Sequence, residues 1–237
     1  MRTKTLIQTV VAEDLNGISV SATDIASPFA DLTLGGVLAT TDAWRGAYVD
    51  FSLKTNFTPL VAFKTGATGS TAIATITGLD IHGNEDTETV TMPGASAAVE
   101  SLKPFSRIDS ISMDGAYTNL EVGVKAEIDQ FSRWIVFDPY ANPFSVFLDL
   151  EEVTDGSTLT IELTTDPDIW TPGSNFDVRT FDAVAPFAPT IIISAQGIVT
   201  ADADQVLPFL AARLRHTAGT AGKWRARFTQ AGGGRGR

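Results

Sequence analysis

The sequence predicts an all-β protein built as two tandem antiparallel β-sandwich domains. Three observations carry that expectation. Apolar and polar residues alternate at period two in run after run, the mark of half-buried strands. Thr, Val and Phe are abundant, and Gly, Asn, Asp and Pro punctuate the runs at short intervals. Only residues 201–216 place apolar residues at helical spacing.

In "YVDFSLK", Val49, Phe51 and Leu53 face one way, and Asp50, Ser52 and Lys54 the other. "ITGLDIHGNEDTETVTMPG", residues 76–94, reads as two strands around a polar turn. "LEVGVKAEI" sets Leu120, Val122, Val124, Ala126 and Ile128 against Glu121, Lys125 and Glu127. "FSVFLDL" repeats the pattern with Phe144, Val146, Leu148 and Leu150, and "TLTIELT" with Leu159, Ile161 and Leu163. In "ADADQVLPFLAARLRH", Pro208 sits where a helix interior would lose a hydrogen bond. A short turn and then a strand from about Phe209 are therefore expected. Many short strands with frequent turns suit Ig-like or jelly-roll-like sandwiches.

A boundary is expected near residues 128–133, giving domains at 1–129 and 130–230 and a flexible basic tail at 231–237. A sparse repeat accompanies it. Leu120, Val122 and Val124 match Trp224, Ala226 and Phe228 at an offset of 104, so each domain is expected to end in the same kind of hairpin.

A chain of 237 residues is long enough to bury a real core. No apolar run approaches the ~18 residues that span a bilayer, and the start lacks a signal-like apolar stretch, so cytoplasmic synthesis is expected. The absence of cysteine removes disulfides, thiolate nucleophiles and cysteine metal sites. Charge is uneven. All 28 acids lie at or before Asp204, while seven of the 17 Lys and Arg lie beyond it. A basic terminus on an acidic body points to docking on something negative.

Four groups of residues are candidates for chemistry. Asp80, Asn84 and Asp86, with His82 and Glu85 beside them, offer oxygen ligands at roughly calcium-loop spacing, but without the late bidentate Glu. The competing and preferred reading is a capped hairpin turn, with Gly83 and Asn84 supplying left-handed backbone. In "TTDPDIWTPGSNFD", Asp166, Asp168, Asn175 and Asp177 surround Trp170, as in loops that stack a sugar on an aromatic. A loop pinned by a buried tryptophan is the preferred alternative. In "KWRARFT", Lys223, Arg225 and Arg227 share one face, and Arg213 and Arg215 alternate similarly in the preceding strand. If those strands pair, the five cations form a basic face without a balancing acid, suited to an acidic partner. Nucleic acid is the weaker partner, since the acidic body repels phosphate. Finally, no nucleophile elbow, phosphate loop or HExxH pair occurs, so no enzyme, metal or cofactor is expected.

Four runs carry a resemblance. "TGLDIHGNEDTETVTMPG", "FSRIDSISMDGAYTNLEVGV", "WIVFDPYANPFSVFLDLEEVTDGSTLTIELTTDPD" and the terminal "WRARFTQAGG" resemble a group of tailed-bacteriophage virion proteins over about residues 60 to 234. This chain departs from the group at His82, where a small or acidic residue is common, and in its RGR end. The resemblance implies a non-enzymatic virion component with β-sandwich domains and no catalytic residues to carry over. It also implies a homo-oligomer made in the host cytoplasm, with the major capsid protein or neck or tail subunits as partners. A head-decorating or head-fibre-like role comes first, and a neck or tail accessory role second. A carbohydrate-binding module for host attachment, using Trp170 with Asp166 and Asp168, is the alternative from another class.

Overall fold

In a computed structural model, the structure describes residues 2–19, 23–25, 30–52, 57–64, 72–92, 97–124, 129–138, 145–151, 157–164, 179–180, 190–193, 199–202, 210–218 and 223–231. These residues form antiparallel sheets and no helix. The chain divides into two compact units, one of residues 11–130 and one of residues 1–10 with 131–237. The first is called here the inserted unit and the second the split unit.

The inserted unit has two sheets. Its six-stranded sheet runs β4 (Ala39–Asp42), β5 (Gly46–Asp50), β10 (Phe105–Met113), β7 (Ile73–Asp80), β8 (Glu85–Thr91), with β3 (Ala30–Asp31) also on β10. Its four-stranded sheet runs β2 (Thr23–Ile25), β11 (Tyr117–Gly123), β6 (Ala62–Lys64), β9 (Ala98–Glu100). Both feed one core: Val49, Ile76, Ile108 and Ile111 from the larger sheet meet Phe63, Leu120 and Val122 from the smaller. Each side chain so buried stabilises the fold by about 1.5–3 kcal/mol. In β10 the buried positions are Phe105, Ile108, Ile111 and Met113, at spacings of three before period two returns. Its pairing with β7 explains this, because the register shifts between Phe105 and Arg107 and again between Ile108 and Ser110. Each bulge consumes one extra residue. Gly78 lies opposite, where a Cβ would fall 2.0 Å from the Arg107 carbonyl oxygen, so only glycine fits.

The split unit repeats this plan. Its four-stranded sheet runs β1 (Arg2–Thr9), β20 (Lys223–Ala231), β14 (Ser145–Glu151), β18 (Val199–Asp202). The other runs β12 (Gln130–Phe131), β19 (Ala211–Ala218), β15 (Ser157–Thr164), β16 (Arg179–Thr180), with β13 (Ile135–Val136) on β19 and β17 (Thr190–Ile193) on β15. In each four-stranded sheet the unit's last strand lies between its first strand and a mid-chain strand. In each unit the penultimate strand, β10 or β19, belongs to the other sheet. The 104-residue repeat therefore marks equivalent strands, β11 and β20. These strands do not close the expected hairpins: β10 and β11, like β19 and β20, lie in different sheets. Alternation has the same period whether a strand folds back on its neighbour or crosses to another sheet.

The arrangement differs from the tandem one expected. β1 pairs with β20 along its whole length, from Arg2 opposite Gln230 to Thr9 opposite Lys223, so the first ten residues belong with 131–237. One unit is inserted after the first strand of the other. Val11 and Gln130 are the first and last residues of the inserted unit. The fully buried Gln130 grips Val11 by both backbone groups: Nε2 donates to the Val11 carbonyl (2.6 Å), and Oε1 accepts from the Val11 N–H (2.8 Å). In the split unit Gln230 holds Asp138 the same way, with 2.6 Å to its carbonyl and 3.1 Å from its N–H. A carboxamide presents one donor and one acceptor side by side, so each glutamine stands in for one rung of a β-ladder.

Candidate functional site

The turn at residues 80–86 is a hairpin cap. Asp80 Oδ1 accepts from the N–H groups of His82 (2.7 Å) and Asn84 (2.9 Å), and the Asn84 side-chain amide reaches Oδ2 at 3.3 Å. The backbone closes with Asp80 N–H to Asn84 O at 2.9 Å. Gly83 alone takes the left-handed conformation here, at φ 87°, and Asn84 serves as a hydrogen-bonding partner instead. Asp86 points to other work: its carboxylate takes a two-pronged contact from the Lys103 ammonium at 2.8 and 2.9 Å. Glu88, two residues on along β8, accepts from the N–H groups of Leu102 (2.6 Å) and Lys103 (2.9 Å). The acids of this edge strand thus fasten the bend that enters β10. Among the described residues, no three His, Cys, Asp or Glu side chains converge as a metal site would need. Replacing Asp80 by alanine is expected to lower stability by about 1–2 kcal/mol, with chelator leaving the melting curve of the parent chain unmoved. A chelator-dependent melting temperature would revive the calcium reading.

The basic face does not assemble as read from the sequence, because β19 and β20 lie in different sheets. Nor is it without an acid. On β15 the side chain of Glu162, 2% exposed, receives Arg213 Nε at 2.5 Å and Arg215 Nη1 at 3.4 Å. The Arg213 guanidinium lies 4.5 Å from the Phe131 ring centre and 4.6 Å from that of Trp134, and Arg215 lies 5.4 Å from Phe131. Burial pushes Arg213 below its ordinary pKa, while the Coulombic pull and hydrogen bond of Glu162 act the other way. The guanidinium is nonetheless a permanent cation, stacked between aromatic rings and one carboxylate. Arg213 and Arg215 thus tie β19 to Glu162 of β15 within the split unit. On β20 the register sets Arg227 opposite Asp149 and Arg225 opposite Glu151. The side chains of Lys223 and Arg225, and all of Asp166, Asp168, Trp170, Asn175 and Asp177, lie outside the described residues.

This cluster also corrects the reading of "TLTIELT". The polar face of β15 is buried, with Thr160, Glu162 and Thr164 at 8%, 2% and 1% exposure. A carboxylate can occupy such a face only when a cation is delivered to it, and the neighbouring strand delivers Arg213, directly opposite Glu162 in register.

Charge follows the units rather than the chain's ends. The inserted unit has 16 acids and six Lys or Arg, a net of -10; the split unit has 12 acids and 11 Lys or Arg, a net of -1.

Two features were not anticipated from the sequence. Trp44, in the turn between β4 and β5, is 97% exposed. Asp42 Oδ1 accepts from the N–H groups of Trp44 (2.8 Å) and Arg45 (2.6 Å), and Gly46 at φ 79° completes the turn. Asp-x-Trp-Arg-Gly is legible in hindsight as an Asx-turn with a tryptophan at its tip. The second feature is a cleft of about 250 Å³ in the split unit, lined by Lys4, Val136, Phe137, Asp138, Phe228 and Gln230.

The backbone N–H groups of Arg45, then Trp44, hold the Asp42 carboxyl below its ordinary pKa. A depressed carboxyl contributes order above its unfolded value and loses it as pH falls through the folded one. The Trp44 indole N–H signal in NMR is therefore expected to stay fixed from neutrality down to the ordinary carboxylate range and to shift only below it. Asp42→Asn should abolish that acid transition.

Comparison with protein-family models, with curated proteins and with solved structures finds no match to this chain.

Proposed function

We propose that the chain is a non-enzymatic structural component of a tailed-bacteriophage virion, decorating the head in the first reading and serving as a neck or tail accessory in the second. The observation that carries the proposal is the use to which the polar side chains are put. Asp80, Asp86, Glu88, Glu162 and Arg213 each fasten a turn, a bend or a strand, which suits a passive building block. The motif resemblance over residues 60 to 234 supplies the particle. Two-sheet β units present broad faces and end loops to a lattice of neighbours, and an inserted unit of net charge -10 favours solubility at high copy number. It also disfavours phosphate, so the partners proposed are other virion proteins and further copies of this chain, not nucleic acid.

Particles purified from a producing culture test this directly by quantitative mass spectrometry and gold labelling. The chain is expected in a fixed ratio to the major capsid protein, with label over the head. Label at one vertex would favour the neck or tail. Absence from every particle, together with saturable binding on a glycan array, would overturn the proposal in favour of the carbohydrate-binding reading.

A further inference from the structure

We infer that the nested order of the two units works as a built-in cross-link: the folded split unit closes the inserted unit into a loop and holds it shut as a disulfide would. The inference rests on topology and is independent of the particle reading.

The chain passes between the units twice, from Val10 to Val11 and from Gln130 to Phe131. On the inserted side the two crossings are clasped together. Gln130 binds both backbone groups of Val11 at 2.6 and 2.8 Å. Further in, Asp14 and Val124 exchange both backbone hydrogen bonds at 2.8 Å, and the N–H groups of Ile18 and Ser19 reach the Val122 carbonyl at 3.0 and 3.1 Å. On the split side both crossings are fixed as well. β1 pairs along its whole length with β20, and Leu6 and Val10 are each 3% exposed. Ser132, next to the buried Phe131, donates its N–H to the Leu214 carbonyl and accepts the Leu214 N–H on Oγ, both at 2.9 Å. Neither crossing has a slack linker: Val10 alone separates β1 from Val11, and the second crossing lies within β12.

An inserted unit that unfolds while the split unit stays folded keeps its ends together and becomes a closed loop of about 120 residues. Closing a flexible loop restricts it by a factor that grows as about the 3/2 power of its length, roughly 1,000-fold here. The opened state is disfavoured by that factor, the same entropy through which a cross-link stabilises a fold. By linkage, the folded inserted unit favours the split unit to the same degree, since it spares the split unit the closure of that loop. A tandem chain has one crossing and no such constraint. Because the chain has no cysteine, this cross-link needs no oxidation and no reductant releases it.

Native-state hydrogen exchange on full-length chains tests the inference. A circular permutant that begins at Val11, runs to Arg237 and continues through a short Gly-Ser linker into residues 1–10 keeps every residue but has one crossing. Arg2 lies opposite Gln230, so the new join spans a short gap. Core amides of the inserted unit, at Ile76, Ile108 and Val122, are expected to open about 1,000-fold more often in the permutant, while those at Leu214 and Phe228 of the split unit stay protected as in the wild type. A second chain keeps the natural order and carries a flexible linker of about 30 residues between Val10 and Val11. There the constraint is relaxed on both sides, and the two cores should each open about 100-fold more often. Inserted-unit amides that exchange at wild-type rates in the permutant would overturn the inference. The linker chain decides alone if permutation unfolds the split core: faster opening of both cores supports the inference, and wild-type exchange overturns it.

Discussion

Replacing Glu162 by glutamine is expected to lower the unfolding free energy by about 3–5 kcal/mol, the usual cost of removing one partner from a buried ion pair. The substitution conserves size, so little of the effect would come from a cavity. What it removes is the carboxylate that meets Arg213 at 2.5 Å and Arg215 at 3.4 Å. Arg213 cannot neutralise itself by losing a proton, and its side chain is only 11% exposed. The unfolded state, where both arginines return to water, gains accordingly. Two companion variants separate this from a general loss of packing. Arg215→Gln removes the more exposed cation, at 34%, and should cost no more than about 1 kcal/mol. Arg213→Met leaves Glu162 with Arg215 and retains apolar contact with Phe131 and Trp134, so it should fall between the two. Urea unfolding of the three chains orders them, and a Glu162→Gln chain as stable as the parent would sink the account of this cluster.

Replacing Gln130 by leucine is expected to cost about 2–5 kcal/mol. The side chain is fully buried, and its loss strands both the N–H and the carbonyl of Val11, at roughly 1–3 kcal/mol for each unsatisfied buried group. Gln130→Glu keeps the acceptor for the Val11 N–H but no longer donates to the carbonyl while ionised. It is therefore expected to be destabilised at neutral pH and to recover in part on acidification, as the protonated carboxyl regains a donor. Denaturant titrations of Gln130→Leu and Gln130→Glu at two pH values check both statements, and pH-independent behaviour of Gln130→Glu would show that the second hydrogen bond contributes nothing.

How far the sequence revealed the fold depended on what each strand does. Val49 and Phe51, and Leu120, Val122 and Val124, are buried as their alternation predicted. The strand at 105–113 was not legible in this way, because two bulges stretch its buried spacing to three. β15 misled, because its polar residues Thr160, Glu162 and Thr164 are buried and period two cannot say which face a partner strand will cover. Pairing was less legible still. Nothing in residues 2–9 announces that they pair with residues 223–230, since the hydrogen bonds of a ladder are made by the backbone and leave no mark on side-chain order. The candidate site divides along similar lines. Asp80 and Gly83 are local turn chemistry, and the sequence favoured a hairpin cap there. Glu162 and Arg213 are 51 residues apart, and their pairing depends on a strand register that composition does not encode.

The central claim is that the chain is a building block of a particle, and a cryo-EM reconstruction of virions from the producing culture tests it most directly. The account predicts density at repeated positions on the particle into which each of the two units fits as a pair of antiparallel sheets. A complete reconstruction in which every density is claimed by other chains would contradict it.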